Sequence, residues 1–405
     1  MAPGVVRAMQ AIDYPRDRLQ VIIVIEDDDM ETAAVLARMR LPRFIEVMVA
    51  PPGHPKTKPR ACNIALRRAR GELVVVFDAE DRLHPGQLRE AAARFAAGPR
   101  ELACLQAPLR IDPDRRFIPA QFGLEYAVQF EVMLPALARL GLPFPLGGTS
   151  NHFQTGVLRG VGGWDAFNVT EDADLGFRLA ARGWRMGMLS APTFEPAPTA
   201  LVDWLPQRTR WVKGHMQSFG VHSRRFWRQP FGFNAALLAT LGLSSLSVLL
   251  HGPAAAWVLA TMLSGWMAGV PLPIAAQDLA LLLSGWAVTA ACGAAGLRNA
   301  GLPLRLRDFA LAPLYWPMLS MAAVHAVRQL ITAPYHWDKT RHSPVQAEAR
   351  VDVPSPQRVS AGKWTARNPR WRTRPSSCEP PPGVITPSST AATDASWSAT
   401  ASTRS

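Results

Sequence analysis

Residues 73–81 read LVVVFDAED. An unbroken apolar run, three of its residues β-branched, passes directly into a turn carrying three carboxylates. A short run of this kind marks a strand buried on both faces, as in a parallel sheet. Residues 21–29, VIIVIEDDD, repeat the pattern upstream. Between and after them, residues 31–40, 59–70 and 84–97 have helical composition, while 45–49 and 103–109 are strand-like. Strands alternating with helices predict an α/β fold whose parallel-rich sheet is covered on both faces. Ligands of such sheets bind outside the carboxyl ends of the strands. The acidic turns after Ile25 and Phe77 are therefore the first places to look for chemistry.

Beyond residue 230 the composition changes. Residues 233–250, 254–270 and 278–297 are nearly free of charge, and 309–331 is apolar but interrupted by Pro313, Pro317, His325 and Arg328. A membrane span needs about 20 apolar residues, so three or four spans are expected within 231–335, after an α/β domain over 1–230. If all four crossed, Arg298, Arg305 and Arg307 would fall on the side opposite the α/β half, against the positive-inside tendency. One of the four is then interfacial or re-entrant. Residues 346–405 are rich in Pro, Ser, Thr, Ala and Arg, and are expected to be disordered.

The formal net charge is +13, which fits nucleic acid, a membrane surface or an anionic substrate. No zinc-ligand spacing, recognition-helix pattern or aromatic-basic interleaving is present, so nucleic acid is not an expected partner. Many arginines lie beside or between the apolar segments, as juxtamembrane charges do. Cys62, Cys104, Cys292 and Cys378 are widely scattered and imply neither a metal site nor a disulfide framework.

Four polar constellations stand out. The first, IEDDDMET, is an acidic turn that could equally cap the next helix. The second, FDAED, offers Asp78 and Glu80 two residues apart; hard divalent cations take oxygen ligands, and Mg²⁺ typically combines one or two carboxylates with substrate phosphates. A plain acidic turn has the same composition. The third, NVTEDADLGFRLAARGW from Asn168, sets Glu171, Asp172 and Asp174 in a helix's first turn, where helix-dipole matching competes with a catalytic role. The fourth, QRTRWVKG from Gln207, is either a juxtamembrane basic stretch or a phosphate-binding arginine beside a tryptophan that stacks on a sugar.

In this order and followed by apolar segments, the four motifs resemble family 2 of the glycosyltransferases, in its cellulose-synthase-like branch. The resemblance runs from about residue 5 to about 343, and includes GGTSNHF at 147–153 and the segment YWPMLSMAAVHAVRQLITAPYHWDKTRHS. It implies a glycosyltransferase A-type nucleotide-sugar-binding fold. By motif, Asp28 and Asp29 match the acidic pair that contacts the nucleoside, and Lys58 a lysine before the donor-site helix. Asp78 and Glu80 match the metal-binding DxD, for Mg²⁺ or Mn²⁺, and Asp172 matches the general base. Gln207 and Arg210 match the donor-phosphate residues and Trp211 the acceptor-stacking residue of QxxRW, while Asn151 and His152 lie in the loop lining the acceptor site.

The expected activity is inverting transfer from a UDP-sugar to a growing glycan at a bacterial-type inner membrane, multi-pass, with a cytosolic catalytic half. A single-transfer enzyme with a lipid-linked or protein acceptor, an inactive membrane partner of a synthase and a transporter are the alternatives. The sequence departs from the family in three places. The DxD carries a glutamate, with Asp81 as a rival ligand; the triple Asp27–Asp29 blurs the nucleoside assignment by one position; and the family's first strand has no counterpart before residue 5.

Overall fold

The computed structural model describes residues 2–270, 276–334 and 397–402. Ten strands form two sheets: β1 Leu19–Ile25, β2 Ile45–Val49, β3 Leu73–Asp78, β4 Arg82–Leu83, β5 Leu102–Gln106, β6 Leu109–Ile111, β7 Asn151–Gln154, β8 Arg185–Met188, β9 Thr193–Glu195 and β10 Trp397–Ser402. The main sheet has the order β2-β1-β10-β3-β7-β5-β8, and a small second sheet runs β4-β9-β6. Strands β2, β1, β10 and β3 are mutually parallel, and β7 is antiparallel to both β3 and β5.

Both apolar runs that open the sequence reading are central strands, and alternation divides their side chains between two cores. Val74 and Val76 face a core with Phe122, Phe153 and Leu175, whereas Leu73, Val75 and Phe77 join Val21, Ile23 and Ile25 under the helix Ala2–Gln10. Gln20 is buried in β1 without penalty. Its amide donates to Glu46 and to Arg68 O at 3.3 Å and accepts from Arg70 N at 2.9 Å.

The tail departs from expectation. Within the segment expected to be disordered, residues 397–402 form β10, in the gap between β1 and β3. Leu19 pairs with Trp397 on one side and Leu73 with Trp397 on the other, and the register continues to Ser402 beside Val24 and Asp78. The slot expected to lack a strand is thus filled by the chain's own distant segment. The rest of the tail, residues 346–396 and 403–405, lies outside the described residues.

The apolar half also differs from three or four separate spans. Residues 233–250 and 254–267 belong to one helix running from Phe231 to Met267, 37 residues or about 55 Å at 1.5 Å per residue. It continues through Pro253, and at the rung just before the proline Ser320 of a neighbouring helix enters the ladder. Its hydroxyl donates to Val248 O at 2.5 Å and accepts from Gly252 N at 2.7 Å. Among the described residues two helices, Phe231–Met267 and Leu306–Thr332, are long and apolar enough to cross a membrane. The helix Ala276–Ala300, which contains 278–297, lies with Gly293 and Gly296 against the helix Phe117–Val128. A Cβ at Gly296 would overlap the Ala127 carbonyl, so this end is committed to protein packing.

No core boundary separates the two halves. Tyr315, Leu319 and Ala322 of the helix Leu306–Thr332 share a core with Val74 and Phe153. Trp204 Nε1 donates to Tyr315 Oη at 2.9 Å, and that hydroxyl donates to Glu125 at 2.9 Å.

Candidate active site

The carboxyl ends of β1 and β3 each carry an acidic turn, and the loop after β2 ties both. Lys56 Nζ reaches Asp27 at 2.6 Å and Asp28 at 2.8 Å, while Lys58 pairs with Asp78. Asp29 is engaged differently: its Oδ1 accepts from Thr32 N at 3.0 Å and caps the helix Met30–Ala37. Of the predicted nucleoside pair, Asp28 thus faces the lysine and Asp29 serves its helix.

In the FDAED turn, Asp78 and Glu80 stay partly exposed while Asp81 is 4% exposed. Asp81 Oδ2 accepts from Asp78 N at 2.8 Å and from the Thr149 hydroxyl, pinning the turn to the loop before β7. Asp81, the rival ligand, is therefore fastened inward. Burial, followed by the charges of Asp78 and Glu80, pushes its carboxyl well above the usual range.

Gly148 joins the donor and base motifs. Lys58 Nζ donates to Gly148 O at 2.5 Å, and a Cβ on Gly148 would lie 3.3 Å from Asp172 Oδ2. Burial alone would lower Lys58, but the carboxylates of Asp78 and Glu171 outweigh it and keep the ammonium charged above its ordinary range. Asp172, at the start of the helix Glu171–Ala181, is raised by burial, against the opposing pull of Ala173 N–H, Lys58 and Arg210. Its Oδ1 accepts from Ala173 N at 2.7 Å. A carboxylate with a raised pKa is a better proton acceptor at neutral pH than an ordinary one.

The fourth motif lies on the helix Leu201–Ser223, which also bears on the Asp172 turn. Gly214 of that helix abuts Thr170 so closely that a Cβ would overlap it. Arg210 contributes positive charge at Asp172. Trp211 is half-buried against Phe122 and Tyr126, with ring centroids 5.7 and 6.2 Å apart. Gln207 Oε1 is buried and unpartnered. Sequence reasoning missed Arg208, a variable position of the motif. It pairs with Glu125 and lies over the Phe122 and Trp211 rings at 4.3 and 4.8 Å, fixing the aromatic cluster.

The two residues expected at the acceptor site are both on β7. Asn151 and His152 are buried in β7. Asn151 Nδ2 donates to Gly147 O at 2.5 Å, shaping the loop. His152 Nδ1 is within 3.1 Å of Ser150 O, its ring meets Phe77 edge-on, and burial lowers its pKa to about 3. Both are buried residues of the strand.

Among the described residues no three His, Cys, Asp or Glu side chains converge as a complete metal-ligand set. The donor chemistry still suits a hard cation that takes part of its shell from phosphates, since Asp78 and Glu80 are accessible carboxylates at a strand end. Beside them the buried Asp81 Oδ1 and Glu195 Oε1 have no hydrogen-bond partner.

Residues 73–324 match the glycosyl transferase family group 2. The beta-monoglucosyldiacylglycerol synthase of Synechocystis sp. is 29% identical over 238 residues, covering 58% of this chain and 49% of that protein. Cellulose synthase 2 of Novacetimonas hansenii is 28% identical over 217 residues, covering 51% of this chain and 13% of that protein. The chain thus spans about half the length, or less, of these curated relatives. A mannosyltransferase from Pyrobaculum calidifontis, solved with GDP-Man and Mn²⁺, superposes with a TM-score of 0.54 at 19% identity over 82% of this chain and 84% of that one. At that identity the likeness is one of fold: an α/β glycosyltransferase A-type architecture with C-terminal helices added.

Proposed function

The chain belongs to the glycosyl transferase family group 2, and on that premise we propose that it is a membrane-associated, inverting hexosyltransferase that moves a sugar from a UDP-sugar to a growing polysaccharide. The observation that carries the reading is the meeting at Gly148 of the Lys58–Asp78 pair and the Asp172 carboxylate. Donor-side charge and a proton acceptor are thereby held on either side of one small residue.

In this reading Asp172 takes the proton of the acceptor hydroxyl as its oxygen attacks the anomeric carbon, and the nucleoside diphosphate departs from the opposite face. Asp78 and Glu80 would hold a Mg²⁺ or Mn²⁺ ion, which when bound offsets the charge of the diphosphate. Arg210 and Gln207 receive the donor phosphates, and Trp211 offers its ring to the acceptor sugar. Lys56, with Asp27 and Asp28, holds the nucleoside end. The two apolar helices support membrane anchoring, and this reading puts the α/β half on the cytosolic side of a bacterial-type inner membrane.

A second reading, single transfer to a lipid acceptor, is favoured by the similarity to a beta-monoglucosyldiacylglycerol synthase. Membranes containing the protein, incubated with labelled UDP-hexoses and Mn²⁺, test both. Label in a polymer supports polysaccharide synthesis, and label confined to one lipid supports the second reading. No transfer overturns the enzymatic reading, and equal transfer by Asp172→Asn overturns the assignment of Asp172 as the base.

A further inference from the structure

Strand β9 is three residues long, and its place is set by its neighbours. It pairs antiparallel with β4, Thr193 with Leu83 and Phe194 with Arg82, and parallel with β6. One step further along this register, Glu195 stands opposite Asp81, the last residue of the FDAED turn. The strand is firmly held: Gln87 Nε2 donates to Pro192 O at 3.2 Å and to the Thr193 hydroxyl at 3.0 Å. The Ser150 and Thr193 hydroxyls are 2.6 Å apart, and Asp112 N donates to Glu195 O at 3.0 Å. The Glu195 carbonyl is thus engaged while its side-chain Oε1 is buried and unpartnered. Asp81, 4% exposed, has its Oδ1 in the same condition.

Two buried acceptor oxygens left unmade beside Asp78 and Glu80 carry a desolvation cost that a donor would remove. Lys58, the neighbouring cation, is already shared between Asp78 and Gly148 O. The carboxylates do not converge as a direct ligand set. A hydrated divalent cation answers both facts, because Mg²⁺ and its like retain several waters, and those waters donate hydrogen bonds. Carboxylates that hold metal-bound water contribute to affinity without touching the metal.

We propose that Glu195 is a further carboxylate of the cation site, accepting a hydrogen bond from a metal-bound water, with Asp81 Oδ1 as its companion in the FDAED turn. This rests on the reading that Asp78 and Glu80 hold the cation. It assigns a role in that site to a residue more than a hundred positions from the FDAED turn, which no motif of the sequence singles out.

The test is Mn²⁺ binding to the full-length, detergent-solubilised protein in the presence of UDP, read from the electron paramagnetic resonance of free Mn²⁺, with a thermal melt alongside. Glu195→Gln keeps size and removes charge. It is expected to weaken Mn²⁺ binding about 10-fold, the lower end for losing an outer-sphere partner, while the melt stays that of a folded protein. Unchanged Mn²⁺ affinity in Glu195→Gln overturns the proposal and leaves the cation reading standing. Absence of Mn²⁺ binding by the unmodified protein sinks both together. If Glu195→Gln does not fold, Glu195→Asp decides: it keeps the charge with a shorter reach, and an affinity equal to that of the unmodified protein overturns the proposal.

Discussion

Truncation after residue 396 removes β10, and the sheet then loses a strand from its interior. Six residues of β10 pair with β1 and the same six with β3. Both neighbours are buried along nearly their whole length, so their inner edges would have no water to turn to. An unsatisfied buried backbone group costs about 1–3 kcal/mol, and several on each side would approach the whole stability of a domain, about 5–15 kcal/mol. Direct closure of β1 onto β3 requires a shift of about 4.8 Å, one strand spacing. The helices Ala2–Gln10 and Lys58–Arg68 and the Lys56 and Lys58 ion pairs, which span the two strand ends, oppose it. The expected outcome is a lower denaturation midpoint, faster amide exchange in residues 19–25 and 73–78, and weaker UDP binding, because both acidic turns lose their spacing. Thr400→Pro is the milder form: it deletes one backbone donor from a central strand and should cost about 3 kcal/mol or more. Unfolding in urea followed by fluorescence, with UDP titration on the same samples, reads each effect. If the truncated protein unfolds at the same urea concentration and binds UDP equally well, the strand contributes nothing and the reasoning fails.

The other predictions concern the site and its support. Asp172→Asn should lower turnover about 10²–10⁴-fold with UDP affinity nearly unchanged; near-normal turnover in a transfer assay would remove Asp172 as the base. Because burial raises the Asp172 pKa and the base works ionised, turnover should begin to fall with decreasing pH above the usual carboxylate range. A pH–rate profile with its acid limb at or below the free aspartate value of 3.8 contradicts this. Chelation should abolish transfer and Mn²⁺ should restore it, with Asp78→Ala more damaging than Asp81→Ala to metal affinity; metal-independent transfer by purified protein refutes the site. Glu125→Ala should destabilise the fold by about 3–5 kcal/mol, since it leaves Arg208 buried and unpaired; an unchanged melt would show the pair to be dispensable.

The local pattern of the chain was enough to define the α/β half and the order of its motifs. β1 and β3 are legible because a β-branched run buried on both faces needs no partner to be recognised, and the carboxylates that follow must emerge at the sheet's edge. The 231–334 half was legible as apolar helix, but its division was not. The helix continues through Pro253, and the backbone groups of the rung before it are met by Ser320, 67 residues away. Asn151 and His152 are expected in the loop lining the acceptor site; the pleat and the neighbours β3 and β5 bury both side chains. Asp81 and Glu80 are chemically near-equal in sequence; Thr149 and the Asp78 amide decide that Asp81 turns inward. β10 carries no apolar run and becomes a strand only because β1 and β3 present unpaired edges to it. Periodicity and turn chemistry act between near neighbours and can be read along the chain. The partner of a buried polar group or a sheet edge lies at an unrelated position, and only folding brings the two together.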